Sequence, residues 1–430
     1  MITSERDENA TASASAACPA VRVPLNADGA ITIDTGIVSH PMSGVSEPKA
    51  AAQQRIYSEL ERLVSISHRL HDAPELAYEE HRSSDLLATS LEELGLKVER
   101  SAHGIETAFR ATAGKTGPHF VICAEYDALP GIGHACGHNI IAASAVGAGF
   151  ALAGMAEDLQ MRVTVLGTPA EESGGGKVDL IDAGAFEDVD AALMVHPGPI
   201  EVVDLPTLAW SHVRATFHGK ESHASFAPEL GLNALDALTI SYSAIGALRQ
   251  HISHTQRIHG IITKGGDAPN IVPRLTEARF YVRAASMEEL QPLKQRVIRC
   301  FEAGALATGC ELELHWFGND YDVVTMNPTM GTVYERNLTS VGRTALPRAV
   351  VESQAGSTDM GNVSKVVPSI HPLMSIDSLP AVNHQADFTA KTITPAGDKA
   401  VIDAALVMAW TVIDLATDPS ELEKVKSEFV

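Results

Sequence analysis

Basic residues are scarce in this sequence. Lys and Arg total 32 against 54 Asp and Glu, a formal net charge of −22 over 430 residues. A surface this acidic repels phosphate backbones and anionic lipid, which argues against nucleic acid and membrane surfaces as partners. Cysteine is sparse as well: five in all, an odd number with no CxxC pair. That is no disulfide framework, and a reducing, cytoplasmic compartment is the expectation. One stretch without charge, Ile140 to Ala156, runs for 17 residues but consists mostly of Ala and Gly. It reads as a helix buried inside a folded domain rather than a membrane span.

Several motifs are missing, and each absence excludes a chemistry. There is no GxSxG elbow and no HExxH helix. Gly174-Gly175-Gly176-Lys177 resembles a phosphate loop, but Val178 follows where Ser or Thr is needed, and Glu171 stands where the first glycine belongs. Gly131-Ile132-Gly133 lacks the third glycine of a dinucleotide fingerprint, Cys136 taking its place. Nucleotide binding and a serine nucleophile are therefore unsupported.

What is present is a large chain, 45% hydrophobic, which favours two folded units over one core. Residues 1–48 are rich in Ala, Ser, Thr and Pro without apolar period, and lack the basic-then-apolar pattern of a secretory signal. They read as a flexible extension. From Gln53 helices and strands alternate. Ile56, Leu60, Leu63, Val64 and Leu70 share one helical face, and Leu86, Leu87, Leu91 and Leu94 another, stopping at Gly95. Apolar runs at 119–123, 161–166 and 191–195 read as strands of a mostly parallel sheet covered on both faces.

The pattern changes after Pro206. Strands are predicted at 209–217, 257–263, 275–284 and 311–317, with helices at 231–252 and 286–308. That β-α-β-β-α-β order is the split arrangement of a small two-layer, ferredoxin-like α+β domain. Alternation resumes near Met326 and ends in a long helix near 396–415. The predicted fold is thus α/β: one domain in two parts, 49–207 and 324–430, interrupted by an inserted domain at 208–323.

Chemistry-bearing residues gather at predicted strand ends. Glu125-Tyr126-Asp127 and Cys136-Gly137-His138-Asn139 follow one strand, Glu171 and Glu172 another, and His196-Pro197 a third. Loops at the carboxyl ends of such strands line the binding crevice. Cys136, His138, Glu171, Glu172 and His196 would therefore converge, and thiolate, imidazole and carboxylate together suit zinc. Taken singly, each has a plainer explanation: a satisfied core histidine, a solvated acidic turn, a small buried cysteine. Five ligand-type residues after successive strands favour a metal site.

The motifs PELAYEE (74–80), EYDALPGIGHACGHN (125–139), PAEESGGGK (169–177), HP (196–197), ESHAS (221–225), APNIVP (268–273) and NHQADF (383–388) resemble the di-zinc aminoacylase/carboxypeptidase family of amide hydrolases. The likeness is to the branch of aminobenzoyl-glutamate hydrolases, auxin-conjugate hydrolases and β-alanyl-lysine dipeptidases, and runs from Ile56 to Leu415. It implies a zinc-peptidase-like catalytic domain whose insert acts as a lid and dimerisation domain. Two divalent ions are implied, zinc foremost, with manganese or cobalt as alternatives. Cys136, His138, Glu172, His196 and His384 would hold them, with Asp127 orienting a ligand from behind.

Glu171 would be the general base, and His223 would reach the opposite subunit of a homodimer to stabilise developing negative charge. Asn270, Arg283 and Gly356 would meet the substrate carboxylate. Without the resemblance, His223 reads as a solvated loop residue and Arg283 as a solvated strand residue. Asn139 and Ser173 depart from the usual pattern; His134, His119 and His254 are left as structural. The implied function is hydrolysis of the amide bond of an N-acyl amino acid, an aminobenzoyl-glutamate-like conjugate or a dipeptide with a free carboxylate. A non-catalytic homodimeric binding subunit of the same fold is the alternative; a closed structural zinc site suits the Glu donors less.

Overall fold

The computed structural model describes residues 45–352 and 355–429. The strands in chain order are β1 (Lys97–Arg100), β2 (Phe109–Ala113), β3 (His119–Ala124), β4 (Arg162–Gly167), β5 (Ala191–Leu193) and β6 (His196–Gly198). They continue with β7 (Ala209–His218), β8 (Arg257–Lys264), β9 (Leu275–Ala284), β10 (Glu311–Tyr321), β11 (Ser369–Ile370) and β12 (Leu373–Ser375). The extension expected over 1–48 lies outside the described residues as far as 44. Its end is corrected: Glu47 and Pro48 already open the helix Glu47–Ser58, where proline is tolerated because the first turn needs no amide donor.

The central sheet has the order β1-β2-β4-β3-β5-β11. The pairs β4–β3, β3–β5 and β5–β11 are parallel; β1–β2 and β2–β4 are antiparallel. The fold is therefore α/β with a mostly parallel sheet. Every residue of β3 is buried, which is why its sequence reads as an unbroken apolar run. The antiparallel edge escapes such a reading: β1 is KVER, largely exposed, and carries no apolar run.

The uncharged segment forms the helix His138–Ala153, buried nearly throughout. Its small residues set its depth. A Cβ on Gly149 would lie 2.1 Å from Val165 Cγ2, and one on Gly147 would lie 2.9 Å from Leu63 Cδ1 and 3.0 Å from Ala405 Cβ. The helix thus seats directly on β4 and against the helices Leu60–Asp72 and Pro395–Thr417. Pro395–Thr417 is apolar and long enough to cross a membrane, but 83% of its apolar window is buried in this fold.

Between the two parts of this layer, β7–β10 form a fully antiparallel sheet of order β10-β7-β9-β8. Helices Ala234–Leu248 and Met287–Thr308 cover one face. Val213, Ala215 and Phe217 of β7 and Phe280 and Val282 of β9 meet Leu238, Val297 and Phe301 there. Each such large side chain contributes about 1.5–3 kcal/mol by leaving water. Asn233 and Ser286 cap the two helices by accepting backbone N–H bonds. That cap is why the first helix opens at Ala234 rather than at residue 231. The opposite face of the sheet presents Trp210, Tyr281 and Arg283 to the cavity described next.

Candidate metal and substrate site

A cavity of about 980 Å³ is lined by Cys136, Glu171, Glu172, His196 and His384 together with Trp210, Tyr281 and Arg283 from β7 and β9 and Gly356 and Ser357 from the later part of the chain. Its floor lies at the carboxyl ends of the parallel strands, where β3, β4 and β5 run into the loops bearing the candidate ligands.

The loops are held by specific bonds. Gly137 takes φ +79, and a Cβ there would meet Pro197 Cγ at 2.4 Å, so only glycine lets the Cys136 and His196 loops touch. The backbone N–H of His384 donates to Ala135 O at 2.9 Å, and Asn383 Nδ2 donates to Pro197 O at 3.2 Å. Ala170 and His384 both lie in the left-handed region, at φ 61 and 69, uncommon for residues with a Cβ. Ala170 is fixed there by Glu80 of the PELAYEE motif, whose buried Oε1 accepts its N–H at 2.8 Å. Burial raises the Glu80 carboxyl to about 7.

Two donor groups result. The donor atoms of Cys136, His138 and His196 lie within 4.8 Å of one another, and so do those of Cys136, Glu172 and His384. Cys136 Sγ belongs to both, 3.5 Å from His196 Nε2 and 3.4 Å from His384 Nε2. His384 Nε2 stands 3.6 Å from Glu172 Oε2. All five ligand candidates are therefore brought together, with a sulfur placed to serve two ions.

The tautomers are constrained from behind. His138 Nδ1 faces Asp127 Oδ1 at 3.0 Å, and His196 Nδ1 faces Pro197 O at 2.8 Å, leaving each Nε2 free toward the cluster. His138 Nε2 and Glu172 Oε1 are buried with no hydrogen-bond partner among the described residues. Orphaned buried donors and acceptors are costly unless something else satisfies them. Soft sulfur, imidazole and carboxylate around these orphans fit divalent cations of the zinc type.

Burial sets the charge of two of the three candidate ligand histidines. Burial lowers His196 to about 3, and it lowers His384 too, so both imidazoles are neutral and able to donate lone pairs. Burial, then Glu125 and Glu172, raises the Glu171 carboxyl well above the ordinary range. Glu171 Oε2 lies 3.9 Å from His138 Nε2, and its backbone carbonyl accepts the Tyr321 hydroxyl.

The structure adds groups that the sequence reading left unassigned. Glu125 is fully buried with Oε2 3.4 Å from His138 Nε2, and it joins His138 and Glu171 in a third donor group. Lys177, seen in the sequence only as a failed phosphate-loop lysine, lies buried between Glu125 and Asp359, with Nζ 2.7 Å from Asp359 Oδ1. Burial opposes its charge, but Asp359 and Glu125 outweigh it and raise its pKa. His371 packs on His196 with ring centroids 5.4 Å apart. A signal existed for it: His371-Pro372 follows β11 much as His196-Pro197 follows β5. His254 also lines the cavity rather than serving structure alone, since the turn before β8 opens onto it.

Of the substrate candidates, Arg283 reaches the cavity, its Nη1 donating to Ser357 Oγ at 2.7 Å. It has no carboxylate within ion-pair distance among the described residues and lies 5.9 Å from the Trp210 and Tyr281 ring centroids. Gly356 lines the cavity, and a Cβ there would meet nothing within 4 Å. His223 and Asn270 are exposed and sit side by side on a loop pair, where Ala224 N donates to Asn270 O at 3.0 Å. Neither lines this cavity. Both departures from the family pattern are accommodated: Asn139 donates to Ser67 Oγ at 2.8 Å, away from the ligands, and Ser173 is exposed.

Residues 121–394 match the peptidase family M20/M25/M40. The chain is 42% identical over 396 residues to the Xaa-Arg dipeptidase of Mus musculus, covering 89% of this chain and 92% of the mouse protein. The Xaa-Arg dipeptidase of Homo sapiens is 39% identical over 388 residues, covering 86% of this chain and 89% of its own. Among solved structures, the aminobenzoyl-glutamate utilization protein of Klebsiella pneumoniae superposes with a TM-score of 0.67 at 18% identity, over 84% of this chain and 98% of its own. A Bacillus subtilis dinuclear metal binding peptidase superposes with a TM-score of 0.62 at 20% identity, over 84% and 99%.

Proposed function

The chain belongs to the peptidase family M20/M25/M40, and from that premise we propose that it is a metal-dependent dipeptidase whose substrates end in a basic residue bearing a free carboxylate. The observation that carries this reading is the pair of donor groups sharing Cys136 Sγ on the wall of one cavity with the unpaired cation of Arg283. The Mus musculus relative is a dipeptidase for Xaa-Arg. Zinc is the proposed ion because cysteine, histidine and carboxylate donors together suit it.

Cys136, His138, Glu172, His196 and His384 would hold the metal, with Asp127 orienting His138. When bound, divalent cations supply Lewis acidity toward a carbonyl oxygen and lower the pKa of water. Glu171 takes a proton from the attacking water as the carbon–oxygen bond forms. It then returns that proton to the amine nitrogen as the carbon–nitrogen bond breaks. Its raised pKa suits the second half of that task, since a strongly acidic carboxyl would hold a proton too weakly to deliver it. Arg283, already aligned by Ser357, grips the substrate carboxylate, and its guanidinium offers paired donors for that purpose. Gly356 leaves the adjacent wall free for the ligand backbone.

The homodimer is part of the same proposal. His223 and Asn270 stand outside their own cavity on the β7–β10 layer, and the edge strand β8 exposes Ile261 and Ile262, at 64% and 45%. A second copy paired there would cover them and could receive His223 and Asn270 at its own site. A cytoplasmic setting is likewise proposed, supported by the free thiols of Cys123, Cys136, Cys300 and Cys310.

The test is amine release from N-acyl amino acids, aminobenzoyl-glutamate and dipeptides, run with added zinc or manganese and again with chelator. Chelator-sensitive cleavage of dipeptides ending in arginine or lysine is the expected result. Chelator-resistant turnover, or no turnover by protein carrying metal, would overturn the proposal.

A further inference from the structure

We infer that Glu352 selects the cationic side chain of the substrate's C-terminal residue, an inference that rests on the dipeptidase reading above. Away from the donor cluster, the charged groups lining the cavity are Arg257, Arg283 and Glu352. Arg257 is committed locally, its Nη1 donating to the carbonyl oxygens of His254 and Gln256. Arg283 is committed to Ser357 Oγ but to no carboxylate among the described residues. Glu352 makes no ion pair or side-chain hydrogen bond with any described residue.

One cavity therefore holds a cation without an anion and an anion without a cation, and the two do not pair with each other. Val351, at the end of the helix Arg348–Val351, is buried, and Gly356 O accepts Leu208 N at 2.9 Å. Glu352 itself is exposed and lines the cavity next to Val351.

A lone carboxylate here has a consequence for an anionic substrate. It repels the α-carboxylate that Arg283 attracts. A neutral residue would serve a non-selective site better. The arrangement makes sense when the ligand carries both charges: its α-carboxylate on Arg283 and a guanidinium or ammonium on Glu352. The same carboxylate rejects a C-terminal glutamate, whose side chain would bring like charge against it. Glu352 is therefore placed to discriminate basic dipeptides from glutamyl conjugates.

The experiment uses the full-length, metal-loaded protein with three dipeptides that share an N-terminal alanine and end in arginine, its neutral isostere citrulline, or glutamate. Wild type is expected to prefer arginine over citrulline in kcat/KM. In Glu352→Gln that ratio should fall on the order of tenfold, through KM for the arginine peptide. Glu352→Lys should raise the glutamate peptide relative to arginine. The wild-type preference should also weaken at high ionic strength. Cleavage of the arginine peptide by wild type with an unchanged arginine-to-citrulline ratio in Glu352→Gln overturns the role of Glu352 while leaving the dipeptidase reading intact. Failure to cleave any of the three peptides overturns that reading and this inference with it.

Discussion

Asp127 ties His138 to the loop that carries Glu172: its Oδ1 lies 3.0 Å from His138 Nδ1, and its Oδ2 accepts the Glu172 backbone N–H at 2.9 Å. One carboxylate thus sets the ring of one ligand and the backbone of another, across two strand-end loops. Asp127→Ala is expected to weaken divalent metal retention by about 10–100-fold. Competition with a chromogenic chelator reads this directly. Wild-type affinity in the variant would show that the ligands hold their geometry without Asp127.

Lys177 is a buried cation between two buried carboxylates, Glu125 and Asp359. Replacing it strips both acids of the buried cation between them, a change that costs about 3–5 kcal/mol when one member of a buried pair is removed. Lys177→Met should therefore unfold at markedly lower denaturant concentration. The triple variant Lys177→Met, Glu125→Gln, Asp359→Asn should recover part of the loss, because neutral amides carry no stranded charge. A Lys177→Met protein as stable as wild type would contradict this.

In the β7–β10 layer, Asp320 accepts from Lys294 Nζ at 2.7 Å, from Ser211 Oγ at 2.6 Å and from Gln291 Nε2 at 2.9 Å. Burial pushes its pKa up, but these donors, Lys294 first, outweigh burial and hold it below the ordinary aspartate value. A depressed folded pKa contributes stability that is complete above the unfolded value of about 3.9 and is lost as pH falls through the folded one. Asp320→Asn should be less stable than wild type at pH 7, and the gap should close below about pH 4. Denaturant titrations at both pH values test it. A gap that persists unchanged in acid would mean the bonds do not depend on the charge.

The residues legible in the sequence were those whose environment imposes a local pattern. β3 and β4 are buried on both faces and read as apolar runs, and β9 alternates because one face packs on helices while the other does not. Cys136, His138, Glu171, Glu172 and His196 follow such strands directly, so strand ends pointed to them. His384 lies in a turn at φ 69 with no strand before it, and only family resemblance supplied it. Lys177 and Glu352 carry no local signal. A buried lysine and an exposed surface lysine share the same code, and the unpaired state of Glu352 depends on what the folded cavity places around it. The charged edge strand β1 was missed for the same reason: its partner, not its own composition, makes it a strand.

The most direct test removes the proton carrier and keeps the metal site. Glu171→Gln preserves the size of the side chain and leaves Cys136, His138, Glu172, His196 and His384 untouched. Metal content should equal wild type, while kcat for an arginine-terminated dipeptide should fall by about 10²–10⁴. A variant that binds metal normally and turns over at the wild-type rate would contradict the assignment of Glu171 as the base.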